Sequence, residues 1–561
     1  MNKFIKVFLA AMAVSISSFA QKDGVPKGWH MMDKATSGYY GISADKAYAF
    51  IKSKNLKSKT VIVAVIDSGI DTLQEDLKPI LWNNPGEIPG NGIDDDHNGY
   101  IDDVHGWNFI GGKDGQNVKE DSYEGARVYY TLKDKWGGKA VNLATLNAAD
   151  KAEYTIFKKA ELKVVGTPDG EKPIDVEMFR TIQKDLEKNN KIMIKAIGKE
   201  VFTGKEMGAY ETKTAEEKTA KNSFYGFMNA NNLLDQTNKE FLEGLEEFLS
   251  GEERKQESKN NAPKTYRKDI VKDDETNIND RNYGNNDIMA STPLHGTHCS
   301  GIIAAVRNNG KGVDGIADNV RIMMVRAVPD GDEHDKDIAN AIRYAVDNGA
   351  QVISMSFGKD FSPQKQWVDD AFRYAESKNV LLVHAAGNDS KNVDTADNFP
   401  NPVFVNGKGR ANNVITVGAS GDPKSGGLTA YFSNYGKKEV DVFSPGVKIY
   451  STLPGGNNYG NLDGTSMACP LVAGIAALTL EYFPNLSAKQ LKYVIEKSAQ
   501  LPDIKVKIPG TEDLTELSDI SKTGGIVNAY EALKLASTLV GERNPVKVAL
   551  PKTKMVKKKR N

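Results

Sequence analysis

The chain has 561 residues, 39% apolar and 26% charged, which is long enough for two or more domains with sizeable cores. Lysine and arginine total 73 against 74 aspartate and glutamate, so no global field draws the chain to nucleic acid or to an anionic membrane. Its two cysteines, Cys299 and Cys469, allow at most one disulfide, and both read as small apolar core residues rather than a staple.

At the N-terminus, Lys3 and Lys6 precede the apolar run Val7 to Val14, and Ser18-Phe19-Ala20 offers a small-x-small cleavage pattern. This predicts a secretory leader over 1–20, too short to span a bilayer, and an exported mature chain with no membrane span. Residues 21–59 form a mature N-terminal segment leading to the first strand. The run 60–66 is apolar and β-branched throughout, as in a strand buried on both faces of a parallel sheet. Similar runs recur at 320–328, 351–356, 380–385 and 413–419, with helical patterns at 337–348 and 364–378 between them. Strands alternating with helices predict an α/β fold, a doubly wound parallel sheet with helices on both faces, whose reactive residues gather at the carboxyl ends of strands.

After the first strand comes Asn91-Gly92-Ile93-Asp94-Asp95-Asp96-His97-Asn98-Gly99-Tyr100-Ile101-Asp102-Asp103. Counting Asp94 as position 1, Asp94, Asp96 and Asn98 supply oxygens at 1, 3 and 5, Gly99 makes the sharp turn and Tyr100 offers a carbonyl at 7. This is the front half of an EF-hand-type Ca2+ loop. His105 stands where the closing glutamate belongs, so Asp102 or Asp103 has to complete the shell. Five carboxylates this close repel one another unless a cation sits among them.

Residues 60–120 end there. The block 121–283 is dense in Lys, Glu, Asp and Asn, with apolar residues at helical spacing: Phe179, Ile182 and Leu186, then Phe241, Leu245, Phe248 and Leu249. It reads as an inserted helical subdomain whose apolar stripes pack together or onto the rest, with 251–280 as a flexible exit linker. The interrupted domain resumes over 284–540, and 541–561 is a solvated basic tail.

Three motifs carry chemistry, in fixed order: Val65-Ile66-Asp67-Ser68-Gly69, His295-Gly296-Thr297-His298 and Gly464-Thr465-Ser466-Met467-Ala468. An acid, an imidazole and a hydroxyl, each among small residues, are the parts of a nucleophilic hydrolase. Ser466 opens a helical pattern over 467–480 with Pro470 expected in its first turn, so backbone N–H groups there suit a developing oxyanion. Together with Ala385-Ala386-Gly387-Asn388, these motifs resemble the subtilisin-like serine proteases, the subtilases, which use the order Asp, His, Ser. The resemblance covers roughly 35–115 and 284–540. It implies the three-layer subtilisin-like fold and a secreted endopeptidase acting on peptides or proteins through an acyl-enzyme. Ser466 is then the nucleophile, His295 the base, Asp67 its orienter and Asn388 the oxyanion donor. It also implies that Ser354, Ser356, Phe357 and Gly358 belong to the segment that pairs with substrate, while Ala385, Ala386 and Gly387 leave room for a substrate side chain. Asp389 is placed to border that pocket. The competing reading is an inactive subtilase scaffold that binds partners through its helical insertion.

Overall fold

Seven stretches pair into one parallel sheet in the computed structural model, which describes residues 25–543 except 167–173 and positions 232, 235, 291, 408 and 425. The expected leader and nearly all of the basic tail fall outside the described residues. The strands are Val61–Asp67 (β1), Gly106–Asn108 (β2), Val320–Arg326 (β3), Val352–Met355 (β4), Leu381–Ala385 (β5), Val414–Ser420 (β6) and Val442–Pro445 (β7). Their order is β2-β3-β1-β4-β5-β6-β7. β1 lies between β3 (Val65 beside Met324) and β4 (Val65 beside Ser354), and Asp67 is its last residue.

Both faces of the sheet are covered, which is why its strands are apolar at almost every position. Successive side chains of β1 alternate between two cores: Val61, Val63 and Val65 join one, Ala64 and Ile66 the other. The first core takes its helices from Ala44–Ser53, Leu294–Ala304, Thr465–Tyr482, Ala488–Ser498 and Ala529–Ala536; the second from Asp335–Asp347 and Lys365–Ser377. Thr465–Tyr482 is apolar all round. Among the described residues it is the one helix long and apolar enough to cross a membrane, and it is wrapped inside the protein as a core helix. The five expected strands and the helices expected at 337–348, 364–378 and 467–480 all form, with ends shifted by one or two residues. Shorter or more polar strands escape a reading by periodicity, the two-residue pair Val506–Lys507 and Leu514–Thr515 among them. β2 has only three residues and β7 four, and the hairpin Ile449–Leu453 (β8) and Asn458–Leu462 (β9) carries Tyr, Ser, Asn and Gly.

Between Asp121 and Tyr283 the chain is helical: Glu124–Trp136, Ala148–Val165, Val176–Ile197, Gly204–Ala209, Ala215–Ala230, Asn238–Asn260 and Tyr266–Val271. Polar caps start several of these helices. Asn147, Asp175 and Thr214 each accept the N–H three residues on, and Thr203 forms a capping box with Glu206. The two apolar stripes pack together: Phe179, Leu186, Phe241, Leu245 and Leu249 share a core separate from both cores of the sheet. The first two helices instead reach the protein body, around Phe361.

The flexible exit linker expected over 251–280 is corrected. Asn238–Asn260 runs through its first third. Beyond it, the Arg267 guanidinium, 2% exposed, is held by Asp337 (2.7 Å) and Asp273 (2.5 Å). Low apolar content signals disorder only when the charges stay in water; here they neutralise one another inside the protein.

Candidate active site

β1 delivers Asp67 at its carboxyl end, and the helix Leu294–Ala304 presents His295 in its first turn. The His295 Nδ1–H donates to Asp67 Oδ1 at 2.8 Å, and the same oxygen accepts the Ser68 N–H. With its proton on Nδ1, the neutral ring keeps Nε2 as the acceptor. Glycine at 296 is required by space, since a Cβ there would lie 2.2 Å from the Gly69 carbonyl and 3.1 Å from Asp67 Cβ. Burial alone would lower the imidazolium pKa, but the adjacent Asp67 carboxylate overrides it and holds His295 well above the ordinary 6.5. His298, one turn on, is buried, meets the Gly460 carbonyl at 3.2 Å and is pushed down to about 3 by burial. It is a neutral core residue.

Ser466 is the second residue of the core helix Thr465–Tyr482. Pro470 lies past the first turn, not within it as expected, and lacks the N–H that would bond the carbonyl four residues back. That carbonyl belongs to Ser466. It is taken instead by the Ser356 hydroxyl (3.0 Å) and the Cys299 thiol (3.4 Å), while the Ser466 hydroxyl donates to the Ser356 carbonyl (3.2 Å). The Cys299 sulfur is also 3.9 Å from His295 Nδ1, so histidine and serine helices meet across it. Both cysteines are free and buried; Cys469 Sγ meets the Val383 carbonyl.

Asn388 follows β5. Its side-chain oxygen accepts from the Thr465 N–H (2.9 Å) and hydroxyl (2.8 Å), which turns the amide NH2 the other way. A Cβ at Gly464 would be 3.5 Å from both Asn388 Nδ2 and the Ser466 nitrogen, so two donors flank one small volume beside the serine. That volume can hold an oxyanion.

The other expected substrate residues divide. Gly358 is exposed, Phe357 and Gly387 half-buried, and Ser356 is buried against Ser466. Gly387 has φ +97°, and a Cβ there would strike Asn434 Nδ2 at 2.4 Å. Ala385 and Ala386 are buried; the Ala386 N–H donates to Val417 and its carbonyl accepts from Asn398 and Asn434. Ser354 is a correction: it pairs with β1 and β5 on its two sides, and its hydroxyl meets the Cys469 thiol at 3.6 Å in the core. A residue with both strand edges occupied cannot add a substrate strand.

The expected metal residues also divide. Carboxylate oxygens of Asp96 and Asp103 come within 4.8 Å of each other and of Glu87, which the EF-hand spacing does not reach because it lies seven residues upstream. The Asn98 amide donates to Asp96 and Asp103. Asp102 turns away, accepting the N–H groups of Gly90, Asn91 and Gly92. Asp94 accepts those of Asn98 and Gly99 and so shapes the turn. The Tyr100 ring packs edge-on against Trp107, Phe109 and Tyr344. Burial pushes the Asp103 carboxyl up to about 6, and burial beside Asp95 and Asp96 raises Glu87. Three crowded carboxylates, Glu87 and Asp103 among them with raised pKa values, are hard oxygen donors that fit a divalent cation such as Ca2+.

The subtilase family model matches residues 58–524. The thermophilic serine proteinase of Bacillus sp. (strain AK1) is 39% identical over 240 residues, which cover 43% of this chain and 52% of that protein. Thermitase of Thermoactinomyces vulgaris is 38% identical over 243 residues, 43% of this chain and 75% of thermitase. The major intracellular serine protease of Bacillus subtilis (strain 168) is 35% identical over 208 residues, 37% of this chain and 61% of that protein. The chain thus spans about half the length of the first and three quarters of the second. With its acid, imidazole and hydroxyl at the carboxyl edge of a parallel sheet and a family match over most of its length, the chain belongs to the subtilase family of serine peptidases.

Proposed function

We propose that this subtilase is an exported endopeptidase that cleaves peptide bonds through an acyl-enzyme on Ser466. The observation that carries the reading is the 2.8 Å bond from His295 to Asp67, beside a serine whose N–H and the Asn388 amide converge. The Ser466 hydroxyl rotates off the Ser356 carbonyl onto His295 Nε2, a tightening common when substrate binds. Ser466 Oγ attacks the scissile carbonyl, His295 takes the proton, and Asp67 stabilises the imidazolium. The oxyanion rests on Asn388 Nδ2 and the Ser466 N–H. His295 then protonates the leaving amine as the C–N bond breaks, and water releases the acyl group by the same steps in reverse. An extended substrate runs past Gly358, beyond the last ladder residue Met355, so main-chain pairing accepts many sequences.

Glu87, Asp96 and Asp103 would hold one Ca2+, with Asn98 turned to present its oxygen. The ion supplies neutralising charge to the loop after β1 and takes no part in the reaction. The residues expected at 1–20 direct export.

One observation favours the inactive scaffold: the Ser466 hydroxyl points at Ser356 and not at the imidazole. A fluorophosphonate probe separates the readings. The active enzyme labels at Ser466 and cleaves unstructured peptides, and Ser466→Ala loses both with its melting temperature unchanged. A folded wild-type protein that neither labels nor cleaves is the scaffold.

A further inference from the structure

Gly358 and Gly387 both approach Asn398 Oδ1 (a Cβ would lie 3.6 Å and 3.4 Å from it) and flank the groove of the substrate path proposed above, which three carboxylates of the protein body border. Asp360 is two residues beyond Gly358, Asp389 is next to Asn388, and Asp397 is next to Asn398, whose amide bonds the Ala386 carbonyl. Two residues span at most about 7 Å, so all three backbones lie within a Debye length of the groove. Among the described residues, the body pairs one ammonium with them: Lys391 sits 2.8 Å from Asp360 and 3.4 Å from Asp389. Left so, the rim is acidic.

The helix Ala148–Val165 of the inserted segment supplies the balance. Lys163 reaches Asp360 at 2.6 Å and Lys159 reaches Asp397 at 2.5 Å. Other cations nearby have acidic partners of their own. Lys158 pairs with Glu161 and Lys255 with Glu252, each within its own helix, although the Lys255 ammonium also feels the Asp389 charge. Lys359, buried beside Gly358, is held by Glu124 (2.8 Å) and Asp335 (2.9 Å). Glu124 opens the first helix of the inserted segment, so that segment is bolted to the end of the substrate strand, and Lys359 itself exchanges both main-chain bonds with Phe399 across the groove floor. The helix that carries Lys159 and Lys163 shares a core with Glu124–Trp136 and with Phe361 of the body, so the two ammonium groups are presented from a fixed support.

We infer that the inserted segment sets the charge selectivity of the cleft: Lys159 and Lys163 neutralise an acidic rim, so the enzyme prefers uncharged peptide side chains where the bare body would select lysine and arginine. This rests on the proposed peptidase activity. The test uses one cleaved peptide made with Gln, Lys or Glu at the residue preceding the scissile bond. In Lys159→Ala/Lys163→Ala, kcat/KM for the Lys peptide over the Glu peptide should rise roughly three- to tenfold, chiefly through KM, as expected for unit charges a few ångströms away at a wet surface. The Gln peptide should keep its kcat, 1 M salt should erase most of the difference, and Lys159→Arg/Lys163→Arg should restore the wild-type ratio. A folded double-alanine enzyme that labels at Ser466 and cleaves with an unchanged Lys/Glu ratio overturns the inference. A wild-type protein that neither labels nor cleaves overturns the peptidase reading instead.

Discussion

At the scale of single residues, the site is governed by the electrostatics of His295. Neutral imidazole is the working base, and Asp67 holds the ring protonated to a higher pH than an ordinary histidine. Activity therefore falls as pH drops through that raised pKa, and the acid limb of kcat/KM should lie above 6.5. Asp67→Asn removes the attraction and leaves burial, which disfavours the charged ring. The limb should move below 6.5 while the rate falls by about 10⁴, the scale known for this change in another triad enzyme. The pH dependence of fluorophosphonate labelling measures both; a limb that does not move on Asp67→Asn would mean that another group titrates. These residues were legible in the sequence because chemistry restricts identity: only an acid, an imidazole and a hydroxyl serve, each among small neighbours. Ser354 was misread for the complementary reason. A motif names a segment, and only the ladder decides which of its residues keeps a free strand edge.

At the scale of elements, legibility followed periodicity and failed where polar groups organise the chain. Strands buried on both faces announce themselves through runs such as 60–66. Helix 266–271 is held by Arg267, Asp273 and Asp337, and nothing local says that those charges are paired indoors. The loop after β1 is intermediate: its Asp/Asn/Gly spacing signals a cation, yet Glu87 enters only through the fold. The metal reading has a thermodynamic consequence. A cation that binds only the folded state stabilises it by mass action, about 2.7 kcal/mol at a hundred times Kd. Melting temperature should rise with added Ca2+, and Asp96→Ala should lose most of that gain. Labelling of Ser466 at 25 °C should stay within about twofold, because the carboxylates do not join the triad. Coincident melting curves in chelator and in millimolar Ca2+ would leave the loop as a carboxylate turn held by its own backbone.

At the scale of the whole molecule, the apolar residues sort into cores that do not all communicate. The two cores of the sheet share β1 residue by residue, so they should unfold together. The lobe from Ile174 to Leu249 buries Phe179, Met193, Phe202, Phe224 and Phe241 with no residue of either sheet core among them. A region with its own core is a candidate cooperative unit, and a chain built so departs from two-state unfolding. Its attachment is narrow: the Gln256 amide donates to the Ile174 carbonyl at 2.7 Å, so the two ends of the lobe already lie side by side. Replacing 176–251 with a short Gly/Ser loop keeps Glu124, Lys159, Lys163 and Arg254, which tie the segment to the body, and keeps Glu252 as the partner of Lys255. The wild type should melt in two calorimetric transitions and the excised protein in one. The excised protein should also label at Ser466 and keep the wild-type preference between Lys and Glu peptides, since the rim lysines remain on Ala148–Val165. If it fails to fold, the lobe is part of the folding unit despite its separate core; if it folds but its charge preference shifts, rim neutrality depends on groups beyond Lys159 and Lys163.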